Sequence, residues 1–89
     1  MSVPTNTEVL QVIREELDAI KVPGALEATE DQSWQDLDVD SLDLVELVKA
    51  LEDAYDVRIA DGELKEIASV GDAVGLVQEL VREKEGVSA

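Results

Sequence analysis

Apolar residues recur at intervals of three and four along three separate stretches of this chain, and that spacing leaves few folds open. Val9, Val12, Ile13, Leu17 and Ile20 form one stripe. Leu42, Val45, Val48, Leu51 and Tyr55 form a second, widened by Leu44 and Leu47, and Val70, Ala73, Val74, Val77, Leu80 and Val81 form a third. A period of about 3.6 residues sets each stripe on one side of an α-helix. No stretch offers a credible strand. The segment ends agree with the periodicity. Thr5 with Glu8, and Ser69 with Asp72, have the spacing of capping boxes, and "VPG" at 22–24 stops the first helix. The second helix is expected from Asp40 or Ser41 to about Tyr55, and "DVRIADGELKEI" then predicts a short extended link and a brief helix near 61–67. A long polar connection, 25–40, must be pinned to the core by Trp34 and Leu37. The expected fold is all-α, a small four-helix bundle of three main helices plus one short helix. It forms a single domain over residues 1–89, with a flexible tail at about 86–89.

Charge narrows the partners. Seven basic and 22 acidic residues give a net charge of −15, which phosphate backbones and anionic membranes repel and basic protein patches attract. One Trp, one Tyr and no Phe leave no platform for stacking bases. The chain has no cysteine and no histidine, so disulfides, thiolate zinc sites, thiol nucleophiles and imidazole bases are excluded. "MSVPTNTEVL" carries no leader pattern, and no apolar run approaches the roughly 18 residues of a membrane span. The chain is expected to be a cytoplasmic monomer without nucleic-acid or membrane partners.

One short stretch, "DLDVDSLDLVEL" at 36–47, places a lone serine, Ser41, among four aspartates. Three readings are open. Ser41 and Asp40 suit a helix N-terminus, where their oxygens accept from unpaired backbone N–H groups. Asp36, Asp38 and Asp40 fit the first three positions of a calcium loop, but Ser41 stands where the turn glycine belongs and Leu47 where the bidentate Glu belongs. No metal site is therefore expected. Third, a phosphate attached to the Ser41 oxygen would lie at the positive end of a helix, with the acidic helix behind it as a docking surface. Catalysis has little support: among 22 carboxylates a close pair arises by chance, and no nucleophile-activating base of the usual form is present.

"DLDVDSLDLVELVKALEDAYDVRI", followed at similar spacing by "SVGDAV", resembles the modification site and second helix of acyl carrier proteins, from about Trp34 to Val81 and more loosely over the first helix. The resemblance implies a non-catalytic carrier. In the Asp40–Ser41–Leu42 triplet, Ser41 would accept 4′-phosphopantetheine from coenzyme A, transferred by a separate Mg²⁺-dependent phosphopantetheinyl transferase. Acyltransferase, ketosynthase and other enzymes of a dissociated fatty-acid or polyketide pathway would then dock basic patches on Asp43, Glu46, Lys49, Glu52 and Asp53. An acyl chain would be sheltered by Leu51, Ile59, Leu64 and Ile67, each of which reads first as ordinary core.

Three positions depart from the family pattern. Trp34 stands one residue closer to the triplet than the usual Phe, Ala60 replaces a common Pro, and Lys49 replaces an exposed apolar residue such as Met. Placed three residues after Glu46 and four before Asp53, Lys49 reads first as a helix ion-pair partner at ~0.2–0.5 kcal/mol per pair, and second as a change in partner choice. The alternatives are a carrier of amino acids or another specialised cargo, although "VDSL" lacks a Gly-Gly lead-in, or a non-enzymatic acidic protein that binds calcium or a basic partner, with Ser41 only a cap.

Overall fold

A computed structural model describes residues 3–86. Its helices are α1 (Asn6–Ala19), α2 (Ser41–Tyr55), α3 (Asp61–Leu64) and α4 (Val70–Gly86), with a 3₁₀ turn over Ala25–Glu27 in the first connection. Among the described residues there is no strand, only an isolated antiparallel bridge between Ser33 and Ser69. The fold is the expected small helical bundle. Of the tail expected from about residue 86, Gly86 closes α4 and residues 87–89 lie outside the described ones.

Local chemistry fixes the ends. Thr5 Oγ1 accepts from the Glu8 N–H at 3.1 Å, so only the Thr5 half of that capping box forms. α1 ends with Lys21 in the left-handed region (φ 66), the Val22 N–H reaching back to the Leu17 carbonyl and the Lys21 N–H to that of Asp18. This double bond pattern satisfies the last carbonyls before Pro23. α3 is shorter than predicted. After Leu64 the Glu66 N–H returns only to Glu63, so the turn tightens and the helix stops. The N–H of Ala60 donates to Glu63 Oε1 at 3.2 Å, a bond that proline at this position could not make.

The inward faces of α1 (Val9, Ile13, Leu17), α2 (Leu47, Val48, Leu51) and α4 (Val70, Ala73, Val74, Val77, Val81) are all buried. The long connection is pinned as expected: Trp34 and Leu37 are buried, and the Trp34 indole N–H donates to the Ile67 carbonyl at 3.1 Å. The connection also lies against the start of α4, where the Gly71 N–H donates to the Glu30 carbonyl at 2.8 Å. A Cβ at residue 71 would come within 2.9 Å of that same oxygen, so the close approach requires glycine. Burial, with the charge of Glu8 adding to it, pushes the Tyr55 phenol above its ordinary value, so it stays neutral where α2 ends. No helix of the described residues is long and apolar enough to cross a membrane.

Candidate functional site

The connection before α2 delivers the chain to Ser41. Ser33 and Asp36 form a reciprocal box, Ser33 Oγ accepting from the Asp36 N–H at 3.0 Å and Asp36 Oδ2 accepting from the Ser33 N–H at 3.1 Å. One helical turn follows and stops at Asp38, left-handed at φ 60, where the Val39 N–H returns to the Trp34 carbonyl at 2.9 Å. The next residue, Asp40, is extended and caps α2. Its Oδ1 accepts from the Asp43 N–H at 2.9 Å, while Asp43 Oδ2 accepts from the Asp40 N–H at 3.4 Å. The three aspartates of the possible calcium loop thus serve three different turns. Among the described residues no group of three or more carboxylates is placed to hold a metal ion.

Ser41 is therefore not the cap. It occupies the first helical position, exposed, and its hydroxyl has no hydrogen-bond partner among the described residues. The backbone N–H groups at the start of a helix lack intrahelical partners and point outward, and of these the capping box takes those of Asp40 and Asp43 and leaves those of Ser41 and Leu42. A phosphodiester on the Ser41 oxygen would meet unpaired N–H donors and the positive helix end, so the residues present fit a phosphate-linked group. Asp40 and Asp43 each commit one carboxylate oxygen to the box, and the chain has no histidine or cysteine to place beside the hydroxyl.

The outer face of α2 corrects the sequence reading in three places. Leu42 and Val45 share the apolar stripe with Val48 and Leu51, but Leu42 is 77% exposed and Val45 40%. The inward arc is Leu47, Val48 and Leu51, and the first turn on the Leu42 side is open to solvent. Glu52 was expected to face partners; it is half-buried, and its Oε2 accepts from the Ile59 N–H at 2.8 Å, tying the link after α2 to the helix. Lys49 is exposed, and the ion pairs expected with Glu46 and Asp53 do not form. Among the described residues the one ion pair joins Lys84 to Asp56 at 3.2 Å. Glu46 and Asp53 are exposed, and Asp43 is half-buried.

The four residues of the expected shelter do not line either of two grooves together. Leu51, Ile59 and Ile67 are buried in the main core and Leu64 packs half-buried against it. Ile59 lines an open groove beside Asp53, Asp56 and Arg58, and Ile67 lines another between α3 and α4, but neither groove reaches Leu51 or Leu64.

Residues 7–87 match the family model described as the phosphopantetheine attachment site. The fold is similar to the crystal structure of an acyl carrier protein from Thermotoga maritima, at 31% identity and a TM-score of 0.61, over 79% of this chain and 92% of that one.

Proposed function

Because the chain belongs to the acyl carrier protein family, whose members carry 4′-phosphopantetheine and do not themselves catalyse, we propose that Ser41 holds the arm and that the cargo is an acyl intermediate of fatty-acid or polyketide synthesis. One observation carries the assignment of Ser41. Asp40 takes over the capping that a serine at this position would otherwise perform, which leaves the Ser41 hydroxyl exposed and free. When bound, the arm supplies the thiol that the chain lacks and holds cargo as a thioester. The protein's own part is to present an oxygen on a rigid helix end, with donors ready for the phosphate. A phosphopantetheinyl transferase supplies the base and the Mg²⁺. The chain acts as a single carrier domain, a monomer of the cytoplasm.

Partner enzymes, acyltransferase and ketosynthase among them, meet the outward face of α2. Leu42 and Val45 offer apolar contact beside the arm, and Glu46 and Asp53 offer charge to basic patches. Asp43 and Glu52 belong to the same face but hold hydrogen bonds within the fold, so they add field rather than free contacts. Such docking is fast and salt-sensitive, with modest affinity that lets cargo pass on.

Glu46→Lys tests this face. Loading by the transferase and turnover by a basic ketosynthase are expected to slow about tenfold at low salt. The melting temperature stays nearly constant, because an exposed helix charge contributes within about 0.5 kcal/mol. Unchanged kinetics with a collapsed melting temperature would sink the recognition role. The cargo itself is read from the intact mass of the carrier isolated from its host: ketoacyl or acyl adducts support the proposal, and aminoacyl adducts point to a peptidyl carrier.

A further inference from the structure

Lys49 is the only cation on α2, a helix that also carries Asp43, Glu46, Glu52 and Asp53. Two of the other six cations are used by the fold, Arg14 donating to the Ala28 carbonyl at 2.7 Å and Lys84 to Asp56 and the Tyr55 carbonyl; Lys21, Arg58, Lys65 and Arg82 lie off α2. Lys49 is exposed and pairs with no carboxylate among the described residues, although Glu46 and Asp53 lie one helical turn to either side. Steps of three and four residues put it on the outward arc with Leu42, Val45, Glu46 and Asp53, midway along the helix. A free ammonium there sets one positive charge in the middle of a face that is otherwise acidic and apolar.

We propose that Lys49 sets partner choice: it weakens docking of enzymes whose patch is cationic opposite the middle of α2, and admits those with a neutral or anionic group at that point. The inference rests on α2 being the docking face. Discrimination through a misplaced like charge is how interfaces reject a partner without new attractive contacts. Because the charge is on a surface, it acts chiefly on encounter and fades as salt screens it.

The test uses the phosphopantetheinylated full chain and a ketosynthase from a dissociated fatty-acid pathway, chosen for a docking patch of lysines and arginines with no carboxylate. Lys49→Met is expected to lower KM about fivefold at low salt, and Lys49→Glu further, with kcat unchanged. Lys49→Arg keeps the wild-type KM, and the differences shrink in half-molar salt. If Met and Glu variants keep the wild-type KM while Glu46→Lys raises it, α2 is the docking face and the role given to Lys49 is wrong. If Glu46→Lys also changes nothing, the docking face itself is misassigned. A KM change that persists at high salt would mean that Lys49 acts by packing rather than charge, and would also overturn the proposal.

Discussion

Ser41→Ala is expected to abolish attachment of phosphopantetheine completely while leaving the fold intact. After incubation with coenzyme A, Mg²⁺ and a transferase of broad carrier tolerance, the intact mass of wild type should rise by one phosphopantetheine and that of the variant should not change. The melting temperature should hardly move. The Ser41 hydroxyl makes no hydrogen bond within the described residues, and alanine at a first-turn position is a good helix former. Asp40→Ala separates the two roles that share this helix end. It removes the acceptor for the Asp43 N–H and should cost about 0.5–2 kcal/mol, yet it leaves the hydroxyl available for loading. Addition to the Ser41→Ala protein would place the arm elsewhere. No addition to folded wild type, with the transferase active on a control carrier, would leave Ser41 without a function.

The separation of cap from hydroxyl was not legible in the sequence. "DVDSL" spells a helix start whichever of Asp40 and Ser41 caps it, and only the backbone angles and the 2.9 Å bond to Asp43 decide for Asp40. The helices themselves were legible because apolar side chains at helical spacing must be covered. Periodicity finds the apolar arc of a helix, however, and does not say how much of that arc has a neighbour. Leu42 and Val45 lie on the arc of α2 but face solvent, while Val48 and Leu51 of the same series are buried. Glu52 fails in the opposite direction: a carboxylate outside the apolar stripe reads as surface, until the chain folds back and brings the Ile59 N–H to it. The Asp36–Asp38–Asp40 spacing suggested converging ligands, yet the same residues at the same spacing close turns instead. Asp36 pairs with Ser33, Asp38 supplies a left-handed residue and Asp40 caps. For Lys49, spacing alone offered ion pairs that, at the surface, are too weak to fix so flexible a side chain.

Leu51→Ala should produce the largest loss of stability, and it also separates core from cargo shelter. Leu51 is 1% exposed at the centre of the bundle, among Ile13, Leu17, Leu47 and Val77 in one continuous core. Truncating a leucine in such a place costs about 2–5 kcal/mol, a large share of the roughly 4–13 kcal/mol that a domain of this length commands. At about 4–8 °C per kcal/mol for a small domain, the melting temperature should fall by at least about 8 °C. A leucine lining a preformed void would lose few contacts on truncation, so a cost under about 1 kcal/mol would favour a ready-made acyl pocket. The loaded protein completes the argument. If a medium-chain acyl group shelters beside residue 51, it fills the space that alanine leaves and restores part of the loss, at ~0.8 kcal/mol for each methylene removed from water. A chain that stays outside the bundle restores none, and thermal melts of the phosphopantetheinylated and acylated variants read the difference directly.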